Sequence, residues 1–370
     1  MGICAKRQLS SVSTAALMVA SVIAALLLVQ APASGQAGSP GAKASAGKAA
    51  ALPRMADGKL DLSGLWNDRT GTPLQRDRRL GAKEFYTDEE FAALTARIRR
   101  GETNGEGGPR ANAPVGPAAD GPAANPEGGA AGRAVAQEDV YDNTVYGDVR
   151  KDDPLASTKR TSLIVGPDGR IPQMLPEAVK RNAAIAAALK GREFDSHEYR
   201  NLEERCIISN LEKIPITPNR DANTHLQVVQ GPGYVIIYQE LNHSTRIIPT
   251  DGRPHIAQNI RQLQGDSVGR WEGDTLVVDT TNFTNRTAWQ GSSEKLHLVE
   301  HFTLTAPDTL LYRFTVEDPT TWATPWTVEI PWTKKNELLY EYACHEGNDA
   351  IRLVLGGARA QEAEAAKAGK

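Results

Sequence analysis

From Leu226 to Ala343 the chain is a succession of short runs rich in β-branched and aromatic residues, parted by turn formers, and this most restricts its fold. The runs are Leu226–Gln230, Tyr234–Leu241, Arg246–Pro249, Gly269–Glu272, Thr275–Phe283, Leu296–Thr305, Leu310–Glu317, Trp326–Trp332 and Leu338–Ala343. Between them stand Gly231-Pro232-Gly233, Asp251-Gly252, Glu272-Gly273-Asp274, Pro307-Asp308 and Lys334-Lys335-Asn336, residue types that set turn geometry. Short connections suit antiparallel neighbours, whereas parallel strands need a crossover of about a dozen residues or more. The expected fold is therefore mainly β. An antiparallel meander of eight or nine strands would close as a lipocalin- or calycin-like barrel, which removes exposed edges; a two-sheet sandwich is the other solution.

Two helices are expected N-terminal to this body. Thr87-Asp88-Glu89-Glu90 is a capping box, and Phe91, Leu94 and Ile98 follow at helical spacing, which predicts a helix over 88–100. Pro176–Lys190 is alanine-rich, with proline at its start and Gly191 just past its end. Asp57–Trp66 reads as a short strand docking on the main body, and Ser162–Val165 as a strand leading into the turn Pro167-Asp168-Gly169-Arg170. No further helix is expected between Arg205 and the tail, and the tail 356–370 reads as frayed.

Residues 1–37 carry the marks of an export signal. Lys6 and Arg7 precede the uncharged run Ala15–Val29, which is too short for a membrane span of about 20 residues, and Ala31-Pro32-Ala33 and Gly35-Gln36-Ala37 offer cleavage sites. A flexible tether (38–54), a strand-and-helix segment (55–100), a disordered Gly/Ala/Pro-rich insertion (101–137) and the β-rich main domain (138–355) follow. Cleavage removes Cys4, and no cysteine follows the apolar run to take a lipid, so the expected product is secreted or periplasmic with no stable membrane anchor. The remaining pair, Cys206 and Cys344, is most simply one disulfide. Three cysteines in all exclude a Cys4 zinc site, and the formal charge of 42 − 45 = −3 gives no basic excess for nucleic acid.

Chemistry-bearing residues gather near the turns. Alternation puts Tyr234, Tyr238 and Glu240 on one strand face; if that face points inward, the tyrosines line a cavity and Glu240 pairs with Arg246 on the returning strand. The alternative is an exterior face with an exposed ion pair. With the polar face inward, His243 and His255 would stand at the rim. Cys344-His345-Glu346-Gly347-Asn348 sets His345 beside a carboxylate next to the disulfide, a possible acid–base pair if the chain turns there. Asp279 interrupts an apolar strand and is a candidate base or ligand, although an edge strand would explain it as well. Trp322 and Trp326 suit either a ligand-binding groove or the core. His297-Leu298-Val299-Glu300-His301 matches an inverted zinc-protease pattern, but its flanks favour a strand. There, two residues four apart lie about 13 Å from each other and cannot share a metal. No phosphate loop, nucleophile elbow, C-x-x-C or dinucleotide fingerprint occurs, so no metal and no cofactor is expected.

Five phrases carry a resemblance: DGKLDLSGLW (Asp57–Trp66), RTSLIVGPDGRIP (Arg160–Pro172), RIIPTDGRPH (Arg246–His255), GDSVGRWEGDTLVVDT (Gly265–Thr280) and CHEGN (Cys344–Asn348). Together they resemble a family of secreted proteins of soil and marine bacteria, over most of residues 55–355. Members of that family usually carry arginine at the position of His301, which speaks further against a metal there. The resemblance brings no established activity and no catalytic residue. Two main functions follow from the residues. One is a cofactor-free lyase, hydrolase or isomerase acting on a small organic or sugar-like molecule. It would use His243, His255 and His345 as acid–base groups, Glu240 or Glu346 as carboxylate partner and Arg246 as anion stabiliser. The other is a non-catalytic lipocalin-like carrier of a small ligand, with Tyr234, Tyr238, Trp322 and Trp326 as its contacts. An envelope interaction module, displayed on the disordered arm, is a third.

Overall fold

The computed structural model describes residues 51–99, 158–209, 214–218 and 225–369. The export signal, most of the tether and the insertion at 101–137 lie outside the described residues. Nine strands make one antiparallel sheet: β1 (Gly64–Asn67), β2 (His225–Gly231), β3 (Tyr234–Gln239), β4 (Ser244–Pro249), β5 (Asp266–Glu272), β6 (Thr275–Thr281), β7 (His297–Ala306), β8 (Thr309–Glu317) and β9 (Trp326–Lys335). The order is β4-β3-β2-β1-β9-β8-β7-β6-β5, so every neighbour is adjacent in sequence except β1 and β9. The meander is as expected, and a two-sheet sandwich is not formed.

The N-terminal strand does more than dock. β1 lies in the middle of the sheet, pairing Trp66 with Leu226 of β2 on one side and with Lys334 of β9 on the other. Leu60, Leu62 and Trp66 alternate into the core, and the Trp66 indole donates to the Leu62 carbonyl at 2.9 Å. β1 covers only the end of β9. Along the rest of that flank runs 163–165, where Val165 N–H bonds Thr327 O and Glu329 N–H bonds Leu163 O. The expected strand at Leu338–Ala343 is absent. β9 runs on to Lys335, beyond which the chain leaves the ladder and exposes Leu338 and Tyr340.

No ladder joins β4 to β5, so the sheet is open at that seam. Its two ends nevertheless meet through side chains. Arg246 of β4 donates to Ser267 of β5 at 2.9 Å. Gly269 of β5 lies so close to β4 that a Cβ there would stand 2.9 Å from Ile248 and 3.0 Å from Thr250. The inner face of this curled sheet is filled. Phe302, Tyr312, Phe314 and Trp332 are buried in mutual contact, Phe302 stacking on Tyr312 at 4.8 Å. The segment 214–218 buries Ile214 and Ile216 against them, and Ile216 N–H donates to the Tyr312 hydroxyl.

Among the described residues there are three α-helices. α1 (Asp88–Arg99) starts with the expected reciprocal cap: Thr87 N–H donates to Glu90 Oε2 and Glu90 N–H to Thr87 Oγ1. α2 (Pro176–Leu189) is fastened by Arg181 and Asn182, both donating to Gly291 O at 3.0 Å. α3 (Ala350–Ala368) corrects the reading of a frayed tail. Asn348 Oδ1 accepts the Ala350 N–H at its start, and the alanine-rich sequence carries the helix through Gly356-Gly357. Cys206 and Cys344 form the expected disulfide across 138 residues. Among the described residues no helix is long and apolar enough to cross a membrane.

Candidate functional site

The open seam carries a cleft of about 290 Å³. After β3 the chain turns through Asn242 and His243, both at positive φ, and enters β4 at Ser244. Across the seam Gln262, Leu263 and Gln264 precede Gly265, which has a positive φ and where an added Cβ would stand 2.6 Å from Thr281 O, so there is no place for a side chain. Gln264 Nε2 crosses the seam and donates to Ser244 Oγ at 2.6 Å. Ile207 and Ile208, directly after the disulfide at Cys206, form the remaining wall. None of the described lining residues is ionisable; the wall offers amides, one hydroxyl and aliphatic carbon.

Further along the inner face of β4 is a buried ionic knot. Arg246, 4% exposed, is held bidentately by Glu300 of β7, which is fully buried, and also donates to Ser267 and to Thr280 of β6. The Tyr312 hydroxyl donates to Glu300 at 2.7 Å. Burial works against the Arg246 charge, but the Glu300 carboxylate outweighs it and raises the guanidinium pKa above its ordinary value. Burial, then the Glu300 charge, push Tyr312 well above the usual phenol range.

The outer face carries a different array. Asp266, His255, Asp279, His297 and Glu317 form a chain in which each histidine bridges two carboxylates: 2.7 and 3.0 Å at His255, 2.9 and 3.0 Å at His297. Asp279 is shared, one oxygen to each ring. A carboxylate only accepts, so a histidine between two of them satisfies both only as the doubly protonated imidazolium. Its hydrogen bond to Asp279 accordingly raises His297 to about 9, and the same bond lowers Asp279. His225 repeats the pattern between Glu240 and Glu337, and its pKa too is raised, first by Glu240.

The site residues expected from sequence are thus dispersed. Glu240 and Arg246 do not pair. Glu240 is buried against His225 and accepts the Tyr340 N–H, while Arg246 turns inward to Glu300. Tyr234 and Tyr238 lie on the outside, because Val235 and Ile237 take the inner face of β3; Tyr238 instead meets His243 Nδ1 at 3.0 Å. Trp322 and Trp326 are in the core, Trp326 stacked on Trp289 at 5.3 Å, and line no groove. His345 and Glu346 are exposed beyond the disulfide. His255 holds both Asp266 and Asp279. His297 and His301 share a strand face, as expected, and the His301 pKa is lowered by burial. Among the described residues no three His, Cys, Asp or Glu side chains converge to hold a metal.

Sequence reading weighed His297 and Glu300 only as a metal motif, without their partners, and missed Tyr312 and the Gln262–Gln264 wall. For Glu300 a signal existed: it alternates with Leu298 and Phe302, so a carboxylate sits on the apolar face of its strand. No protein-family model matches the chain, and no curated protein matches it in sequence.

Proposed function

We propose that this chain is an exported, disulfide-stapled binding protein of lipocalin-like build. It holds a small uncharged molecule, sugar-like in its hydroxyl or amide groups, in the cleft at the β4–β5 seam. The chemistry of the cleft wall carries the reading. The wall is built of the amides of Asn242, Gln262 and Gln264, the kind of group that recognises a hydroxyl-rich ligand, and Ile207, Ile208 and Leu263 match its apolar faces. In this reading the nine strands act as a barrel with one seam, closed by side chains instead of backbone bonds, and the ligand enters where the ladder is missing. The disulfide supports an oxidising compartment, secreted or periplasmic. Nothing in this reading calls for a cofactor, a metal, a nucleic acid or a membrane anchor.

The second reading, a cofactor-free lyase, hydrolase or isomerase, is favoured by the half-exposed His255–Asp279–His297 array. Against it, both ring nitrogens of each histidine are already engaged, which leaves none to take a substrate proton. The test is calorimetric titration of the exported protein with glucose, cellobiose and N-acetylglucosamine, for wild type and Gln264→Ala. Binding of at least one sugar is expected, weakened about tenfold by the substitution, the worth of one hydrogen bond. Absence of binding to all three, or binding indifferent to Gln264, overturns the proposal.

A further inference from the structure

The seam follows from the strand count. Each neighbour pairing in the sheet is antiparallel, so direction alternates along the nine strands and the two end strands, β4 and β5, run the same way. Strands that run the same way need a crossover of about a dozen residues or more between them. That crossover is the segment 250–265, and it returns to β5 past the cleft, bringing Gln262–Gln264 to its wall.

Within the wall the two glutamines are held differently. Gln264 commits its side-chain amide to Ser244 Oγ and braces the seam. Gln262 is held by its backbone. Its N–H donates to Asn282 O at 2.9 Å and its carbonyl accepts the Thr284 N–H at 3.0 Å, which together make a parallel bridge to Phe283. The Gly265 N–H donates to the same carbonyl at 3.3 Å. Asn282 is buried, and its side-chain amide is anchored on the Ile256 and Ala257 carbonyls. Thr287 Oγ1 fixes the next wall residue by donating to Leu263 O. The Gln262 side chain, in contrast, is exposed and makes no hydrogen bond with the described residues. A fixed main chain thus presents an uncommitted carboxamide at the cleft, and the ordering of its backbone is complete before a ligand arrives.

We propose that Gln262 is the specificity-determining residue of the cleft and that it reads two neighbouring hydroxyls of a single-ring sugar. This rests on the binding reading above and names its substrate class more closely. One edge of a carboxamide sets an acceptor oxygen beside an N–H donor. Two vicinal hydroxyls answer both at once, one donating and the other accepting. A trans amide carries its C=O and N–H on opposite edges and meets only half of the pair. A carboxylate offers acceptors alone and finds no cation among the described lining residues. Size narrows the class further. A cleft of about 290 Å³ stands at the small end of ligand pockets, which suits one ring and leaves the second ring of a disaccharide outside.

The experiment is calorimetric titration of the exported, disulfide-intact protein with methyl β-glucoside and its singly deoxygenated forms. Wild type is compared with Gln262→Met, which keeps the side-chain length and removes both hydrogen-bonding groups. Wild type should lose about tenfold in affinity for each of two deoxy forms whose missing hydroxyls are neighbours, one hydrogen bond apiece. Gln262→Met should bind the parent glucoside at least about tenfold more weakly and no longer distinguish those two forms from it. Urea unfolding midpoints of the two proteins should coincide; if they differ, Gln262→Ala replaces the variant and is held to the same criterion. Unchanged affinity in the variant, discrimination that survives in it, or a loss confined to one hydroxyl or to two that are not neighbours overturns the proposal. If Gln264→Ala weakens binding and Gln262→Met does not, the assignment to Gln262 falls alone. If wild type does not bind the glucoside, the diol assignment falls, and the binding reading falls with it only when glucose, cellobiose and N-acetylglucosamine fail as well.

Discussion

Three histidines in this chain, His225, His255 and His297, each stand between two carboxylates, and at His225 and His297 these carboxylates raise the imidazole pKa. For His297 the consequence for stability has a definite sign. Its folded pKa of about 9 lies above the unfolded value near 6.5, so its contribution is fully present below the unfolded value and is lost as pH rises through about 9. Asp279 is shifted the other way, so its contribution is present above the ordinary carboxylate range and fades in acid. Urea unfolding midpoints should therefore fall between pH 6.5 and 9.5 in wild type, with a smaller fall in His297→Gln. An unchanged alkaline fall in the variant would assign it to other groups. None of these pairings could be read from the sequence, because the partners come from separate strands and loops, and only register and loop path bring them together. The buried carboxylate of Glu300 was different: its place between Leu298 and Phe302 in a period-two strand marked it.

At the scale of elements the sequence was legible where local physics decides. The Thr87–Glu90 cap forms as its spacing requires, and eight of the runs between Leu226 and Trp332 become strands because alternation and turn residues act over a few positions. The placement of β1 between β2 and β9 was not legible, since pairing across long sequence separation leaves no local mark. The C-terminal helix was missed because the tail of Ala, Glu, Lys and Gly was read as frayed, although alanine is the strongest helix former and each glycine in a helix interior costs only about 1 kcal/mol relative to it. An added Cβ at Gly356 or Gly357 would meet nothing within 4 Å, and α3 has no buried residue. Gly356→Ala and Gly357→Ala should each slow amide exchange across 350–368 by about fivefold while leaving the global unfolding midpoint in place. A shift of the global midpoint instead would show that α3 unfolds together with the sheet.

For the whole molecule, the question is what holds a nine-stranded sheet curled when its terminal strands share no ladder. The Arg246–Glu300 pair spans from β4 to β7 and draws in Ser267 of β5 and Thr280 of β6, so a single guanidinium links one end of the sheet to the three strands at the other. A buried pair of this kind is costly to break from one side, because the remaining charge keeps its desolvation and loses its partner. Glu300→Gln and Arg246→Met should therefore each destabilise by about 3–5 kcal/mol in urea unfolding. The double replacement Arg246→Met with Glu300→Leu removes both charges and keeps much of the volume. It should recover most of that loss, less about 1 kcal/mol for the Tyr312 hydroxyl left without its acceptor. Recovery of stability need not restore the seam. With the guanidinium gone, β4 keeps its ladder to β3 but loses its polar link to β5, and amide exchange over 244–249 should quicken in the double variant even where its midpoint matches wild type. If both singles cost less than about 1 kcal/mol, or if β4 exchange in the double variant matches wild type, the apolar contacts of Ile248 and Thr250 with Gly269 hold the seam and the ionic knot is incidental to it.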